Sequence, residues 1–154
     1  MINTKLFTTL TDELLKRGCQ IRFQASGNSM HPTIRNGEVI TIEPAQICQL
    51  RTWDIVFYKG VRGLLAHRLL SFTEVDNGSL ILRGDACSDC DEPVTPAQIL
   101  GRVIAVERSN GSIRLSTKLA KMHYCWRVYI ISPSVRVLHT FTNLVKRWRV
   151  LIGR

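Results

Sequence analysis

The sequence predicts a mainly β protein: an irregular coiled sheet or partly open barrel, with an amphipathic helix before it and basic helices after it. Short runs rich in β-branched residues recur through the first two thirds of the chain, and turns containing glycine or asparagine separate them. Runs at this spacing are typical of coiled sheets and barrels. The predicted strands are 20–25, 39–42, 55–58, 64–72, 80–83, 100–107 and 113–115.

Helical elements are expected at both ends of this sheet. Near the amino end, apolar residues recur at amphipathic spacing with charged residues between them, which predicts a helix over residues 1–18. The segment Ser109-Asn110-Gly111-Ser112 indicates the hairpin turn before the last strand. Ser116-Thr117 could cap a helix beginning near Lys118, and Pro133 separates it from a final helix. We therefore expect three parts, residues 1–18, a catalytic domain over 19–115, and a helical tail over 116–154.

Charge is distributed unevenly along the chain. The 154 residues are 45% hydrophobic and 21% charged, which suits one globular domain with a core. Of the 21 lysines and arginines, ten lie in residues 108–154, where no acidic residue occurs. The other 11 are balanced by all 12 acidic residues in residues 1–107. The excess charge of +9 therefore belongs to the carboxyl-terminal third.

Basic, aromatic and aliphatic residues alternate in that third at helical spacing, which is typical of a segment lying on an anionic membrane surface. One alternative is a helix whose basic face is solvated and whose apolar stripe packs on the domain. The other is a nucleic-acid surface, which no nucleic-acid-binding signature supports. No apolar run reaches the ~18–20 residues of a spanning helix, and no secretory leader is seen. We expect a cytoplasmic or peripherally membrane-associated protein.

The five cysteines predict free thiols in a reducing compartment, because their number is odd and no export signal is recognised. Cys87 and Cys90 have the spacing of half a zinc site, but no second pair lies at a usable distance along the chain. We therefore expect no metal and no cofactor.

Three separated segments carry residue types suited to nucleophilic catalysis. Ser29 lies in a turn-forming segment, and His67 comes later in an apolar run. A serine hydroxyl is a weak nucleophile and needs an adjacent base, while histidine can accept and return a proton near pH 7. A carboxylate on the other ring nitrogen would orient the imidazole. The candidates for that carboxylate are Asp85, Asp89 and Asp91.

These segments, in this order, resemble the type I signal peptidases. The motifs that carry the resemblance are Gly27-Asn28-Ser29-Met30-His31-Pro32-Thr33, Trp53-Asp54-Ile55-Val56, His67-Arg68 and Gly84-Asp85 with Asp91 soon after. His67 stands at the position where related enzymes carry lysine. In this respect the chain resembles the Ser-His branch of that family. The resemblance implies the folded sheet shared by signal peptidases and SOS-repressor-like self-cleaving proteins.

The resemblance also implies roles for individual residues. Ser29 matches the nucleophile and His67 the base, with Asp85 and Asp91 holding the imidazole or the neighbouring loop. The oxyanion and substrate loop would comprise Gly27, Asn28, Met30 and Pro32.

Three positions depart from the family pattern. Trp53 stands where the family has glycine, and Glu38 where it usually has aspartate. Gly27 replaces a serine that some members use as an oxyanion donor, so the hole would depend on backbone N–H groups, including that of Ser29. None of these departures alters the proposed Ser29–His67 dyad.

The leading hypothesis is a serine endopeptidase that cleaves a precursor or leader peptide after small residues, with the substrate extended beside a strand edge. One alternative is a catalytically inactive module that binds a peptide or protein partner on the same sheet. The other is an SOS-type self-cleaving regulator, which is disfavoured because the base is not lysine and too few residues precede the first strand to form a DNA-binding domain.

Overall fold

The computed structural model describes residues 4–61, 63–73, 78–108 and 111–115. One helix and seven strands are assigned in these residues, together with short 3-10 turns at Ile47–Gln49 and Pro96–Gln98. The predicted helices beyond residue 116 lie outside the described residues. The elements are α1 (Thr4–Lys16), β1 (Ile21–Gln24), β2 (Val39–Pro44), β3 (Ile55–Gly60), β4 (Gly63–Phe72), β5 (Leu80–Arg83), β6 (Ile99–Arg108) and β7 (Gly111–Arg114).

The strands form one open antiparallel sheet in the order β1-β2-β6-β3-β4-β5, and β7 also pairs with β6. This confirms the prediction of a mainly β protein. The register shifts within the β2–β6, β3–β6 and β4–β5 pairings, and such bulges increase the local twist of a sheet. The strand order could not be read from the sequence, because β6 lies between β2 and β3, which follow one another in the chain and are both distant from β6 in sequence.

Both faces of the central strand β3 are buried. Ile55 and Phe57 belong to one hydrophobic cluster, and Val56 and Tyr58 belong to another. Successive side chains of a strand point to opposite faces, so β3 is a continuous apolar run rather than an alternating one. The candidate site lies where β3 and β4 meet the second of these clusters.

Helix α1 packs on the sheet through a face centred on Thr11 and Leu15, which are 4% and 3% exposed. It ends at Lys16, and Gly18 follows with a φ of +83°, the left-handed conformation common after a helix. Leu6 and Leu10 remain exposed, so the stripe of leucines in the sequence is only partly the buried face. No helix in the described part of the chain is long and apolar enough to cross a membrane.

Candidate active site

Ser29 lies in the loop between β1 and β2. Gly27 precedes it with a φ of +99°, a conformation that favours glycine, and the Gly27 N–H donates to Asn36 Oδ1 at 2.9 Å. Met30 and Ile34 anchor the loop, since both are buried in the first hydrophobic cluster. The position of Ser29 is therefore fixed by the turn at Gly27 on one side and by the buried side chains of Met30 and Ile34 on the other.

His67 lies on β4, opposite Val56 of β3, and is only 6% exposed. Its Nε2 is 3.0 Å from Ser29 Oγ. The structure thus brings together the predicted nucleophile and base, which are separated by 38 positions in the sequence.

The other ring nitrogen of His67 contacts Asp91, with 2.6 Å between Nδ1 and Oδ2. An ionised carboxylate can only accept hydrogen bonds, so Nδ1 carries the proton in this contact. In the neutral imidazole, Nε2 is then the acceptor, and the Ser29 hydroxyl donates to it. This tautomer is the one that a general base beside a serine requires.

Asp85 lies against Arg68 rather than against the imidazole. Arg68 donates to both Asp85 oxygens, at 2.7 Å from Nε and 2.6 Å from Nη2, and the two side chains are 3% and 2% exposed. Thr33, in the same loop as Ser29, donates to Asp85 and accepts from Arg68. We expected Asp85 to hold either the imidazole or the neighbouring loop. Its contacts with Arg68 and Thr33 match the second role.

Successive side chains of β4 point to opposite faces of the sheet, which explains why Asp85 and Asp91 contact different residues. His67 and Arg68 are adjacent, so their side chains leave the strand on opposite faces. Asp91 meets the first and Asp85 meets the second. The third candidate, Asp89, is exposed on the same loop.

The loop after β5 passes close to the serine. The Ala86 N–H donates to the Ser29 carbonyl at 2.8 Å. A Cβ added at Gly84 would lie 2.6 Å from that same carbonyl oxygen, which is closer than real Cβ atoms come. The glycine of the Gly-Asp motif therefore permits close approach of the two loops.

Trp53, at the family's glycine position, has a φ of +77°. This is the left-handed region that glycine adopts freely and a bulky residue adopts at a cost. Its carbonyl accepts from Arg68 Nη1 at 2.9 Å. The backbone shape is thus the one that a glycine would adopt there, although the side chain is not glycine.

Glu38 and Arg108 stabilise the loop that carries Ser29 through hydrogen bonds. Arg108 Nε donates to Glu38 Oε1 at 2.8 Å, and its Nη2 donates to the carbonyls of Thr33 and Pro32 at 2.9 and 3.2 Å. Arg108 belongs to the basic third by its position in the sequence, but in the fold it lies on β6 and supports the site.

Tyr58 is the site residue that the sequence interpretation missed. It is 2% exposed, and its hydroxyl donates to Asp91 Oδ2 at 3.0 Å and lies 3.3 Å from His67 Nδ1. Burial, followed by the negative charge of Asp91 and the hydrogen bond to it, raises the pKa of Tyr58 well above its ordinary value of 10. A signal was available, because the Gly60–Gly63 pairing of the β3–β4 hairpin fixes a register that places Tyr58 and His67 on one face.

Cys87 and Cys90 are free thiols in the loop after β5, which also carries Asp91. Burial is the main cause that raises the pKa of Cys90, which makes its thiolate scarce. No group of three or more histidine, cysteine, aspartate or glutamate side chains that could hold a metal ion occurs in the ranges that the structure describes.

A groove of about 650 Å³ leads to Ser29. It runs between the β1 segment and the first half of β4, and Phe7 of α1 is among its lining residues. β4 pairs with β5 only from Arg68 onward, and residues 63–66, which precede that pairing, line the groove. Its lining is mainly apolar and includes Phe23, Met30, Ile34, Ile40, Phe57, Leu64 and Ala66.

Comparison with known proteins adds nothing to this geometry, since no family model and no curated protein matches the chain.

Proposed function

We propose that the protein is a serine endopeptidase of the signal peptidase type, in which Ser29 is the nucleophile and His67 the general base. The observation that carries this proposal is the continuous relay from Ser29 Oγ through both imidazole nitrogens to Asp91, with contacts of 3.0 and 2.6 Å. A serine, a histidine and a carboxylate in this geometry are the parts that nucleophilic acyl transfer needs.

The chemistry depends on the tautomer. As Ser29 Oγ attacks the scissile carbonyl carbon, its proton passes to Nε2, and Asp91 stabilises the resulting imidazolium. The tetrahedral intermediate collapses when Nε2 returns the proton to the leaving amine, and an acyl group remains on Ser29. Water, deprotonated by the same nitrogen, then releases the acid and restores the serine.

Backbone N–H groups of the serine loop would stabilise the oxyanion. Among the loop and turn backbone hydrogen bonds of the described residues, none is donated by the N–H of Ser29, which leaves it available to a developing negative charge. Gly27 offers no side chain that could donate, in contrast to signal peptidases with serine there. We infer that this hole depends on the backbone alone.

The groove supports a peptide substrate bound in extended form. β1 is an edge strand of the sheet, and the first half of β4 borders the opposite side, so backbone groups flank the groove on both sides. The apolar lining suits apolar side chains. The resemblance to signal peptidases adds the expectation of small residues, usually alanine, before the cut.

The fold type is part of the same proposal. The nucleophile precedes β2, the base lies on β4, and both aspartates come after β5, which is the chain order of the motifs in signal peptidases. We infer the coiled sheet of the signal peptidase and SOS-repressor group from this order and from the three register shifts.

The test is cleavage of synthetic peptides with alanine before the scissile bond, and of precursors from the producing cell, with the cut sites read by mass spectrometry. Ser29→Ala and His67→Ala should abolish cleavage. Ser88→Ala and His31→Ala are matched controls, because both residues are exposed and lie outside the relay, and both should cleave normally. Cleavage that survives both changes in the dyad would overturn the proposal. Peptide binding without cleavage by the wild type would favour the inactive binding module.

A further inference from the structure

We propose that Tyr58 is a positioning residue of this dyad, whose hydroxyl holds the Asp91 carboxylate against His67. The inference that Tyr58 affects catalysis rests on the proposed function. The contacts themselves rest on the geometry of Tyr58, Asp91 and His67. Tyr58 contacts neither Ser29 nor the groove that leads to it. Its effect on the reaction would pass entirely through Asp91 and His67.

The position of Tyr58 is fixed by the sheet. In the β3–β4 pairing, Tyr58 lies opposite Leu65 and Val56 lies opposite His67, so the phenol and the imidazole share one face, with ring centroids 6.1 Å apart. The ring of Tyr58 is packed in the second hydrophobic cluster among Val56, Leu69, Leu80, Leu82 and Val94. A buried ring on a central strand gives its hydroxyl little freedom to move.

Asp91 needs such a holder more than the other members of the relay do. It lies on an irregular loop, and its side chain is 26% exposed, whereas that of His67 is 7% exposed. Its N–H donates to the Leu82 carbonyl at 2.8 Å, which fixes the backbone but leaves the carboxylate free to turn toward water. The Tyr58 hydroxyl approaches the same oxygen, Oδ2, that accepts from His67. One buried donor therefore keeps that oxygen at the imidazole.

Tyr58 acts here as a hydrogen-bond donor and not as a base. The groups that act on its hydroxyl are Asp91, His67 and Cys87. Burial and the carboxylate raise the pKa of the phenol and keep it protonated throughout the range in which histidine chemistry operates. Since a protonated phenol beside a carboxylate can only donate to it, the direction of the bond is set.

The experiment uses the full-length protein and the p-nitrophenyl ester of N-acetyl-alanine, in Tyr58→Phe, Asp91→Asn and the double variant. Tyr58→Phe keeps the ring and removes only the hydroxyl. If the free energy of that charge-assisted hydrogen bond is lost in the transition state, kcat should fall about tenfold, with KM unchanged. In the Asp91→Asn background the same change should cost nothing further, because the group that Tyr58 holds is already altered.

A spectroscopic reading separates positioning from packing. The His67 Nδ1 proton, in a short bond to a carboxylate, should give a low-field proton resonance that His67→Ala removes and Tyr58→Phe broadens or shifts upfield. Val94→Ala, which removes bulk from the same cluster, should lower the melting temperature and leave that resonance in place.

Full kcat and an unmoved resonance in Tyr58→Phe would overturn the inference, as would losses that add in the double variant. Because the resonance needs no substrate, it tests Tyr58 even if Ser29→Ala retains ester hydrolysis and the peptidase proposal fails.

Discussion

Asp85 and Asp91 lie on one loop but contact different residues, Arg68 and His67. Replacing each by asparagine should therefore have different effects on stability and on activity. Asp85→Asn would leave the buried Arg68 without its ion pair and should destabilise the protein by about 3 kcal/mol. Asp91→Asn should change the melting temperature little, but lower kcat by about 10³-fold or more because the imidazole loses its tautomer. Thermal unfolding and ester hydrolysis measure the two effects. An active Asp91→Asn protein would remove Asp91 from the relay.

The strained conformation of Trp53 gives a second prediction. Trp53→Gly and Trp53→Ala delete the same indole contacts, but only glycine relieves a φ of +77°. The glycine variant should therefore be the more stable by about 1 kcal/mol, the reverse of the usual order of these two residues. Urea unfolding of both variants gives the difference directly. A more stable alanine variant would mean that this backbone conformation carries no strain.

The sequence predicted Ser29, His67 and two acidic positions as site residues, because those motifs are local. It could not decide between Asp85 and Asp91, since that choice depends on which face of β4 each loop residue reaches. Tyr58 has no motif of its own. Only the hairpin register connects it to His67, and the register becomes informative once the pairing of Gly60 with Gly63 is assumed.

At the scale of elements, an ion pair attaches α1 to β3. Asp12 accepts from Lys59 at 2.6 Å and from Lys16 at 3.1 Å. The hydrogen bond from Lys59 is the main cause that lowers the pKa of Asp12 below its ordinary value of 3.8, and burial opposes it. A lowered pKa in the folded state means stability that is fully present above pH 3.8 and lost as the pH falls through the lowered value.

Asp12→Asn should therefore reduce the free energy of unfolding by about 1 kcal/mol at pH 7, since the lysines are partly exposed and solvent screens the pair. The difference from wild type should vanish at pH values below the lowered pKa of Asp12. Glu13→Gln is the matched control, because Glu13 is exposed on the same helix. Unfolding measured from pH 2 to 7 tests this, and a difference that persists at the acidic end would contradict it.

The strand positions were predictable to within a few residues because their apolar runs are short and bounded by turn residues. Their order was not, because β6 pairs with β2, β3 and β7 through contacts that no local pattern records. The exposed Leu6 and Leu10 of α1 are a second case in which a local pattern does not determine tertiary packing. Helical periodicity shows that a stripe exists, but packing decides which residues the sheet covers.

At the scale of the whole molecule, charge distinguishes the carboxyl-terminal third from the rest of the chain. Ten of the 21 basic residues lie in residues 108–154 without an acidic residue, although Arg108 and Arg114 belong to strands. We propose that residues 116–154 bind anionic membrane surfaces, where each basic residue contributes about 1 kcal/mol.

The protein should float with vesicles that contain anionic lipid, and less so with neutral vesicles or at high salt. A variant ending at residue 115 should lose this binding and keep ester hydrolysis, since all three residues of the relay lie between positions 29 and 91. Equal flotation of the shortened variant would refute the membrane proposal. A salt-dependent shift of nucleic acid, without flotation, would favour the alternative ligand.

The central claim, that Ser29 attacks with His67 as its base, is tested most directly by trapping the acyl group. The protein is mixed with the p-nitrophenyl ester of N-acetyl-alanine, quenched in acid and digested for mass spectrometry. We predict an acetyl-alanyl mass on Ser29 in the wild type and its absence in Ser29→Ala and His67→Ala. Turnover of the ester with no adduct on Ser29, or with the adduct on another residue, would contradict the account.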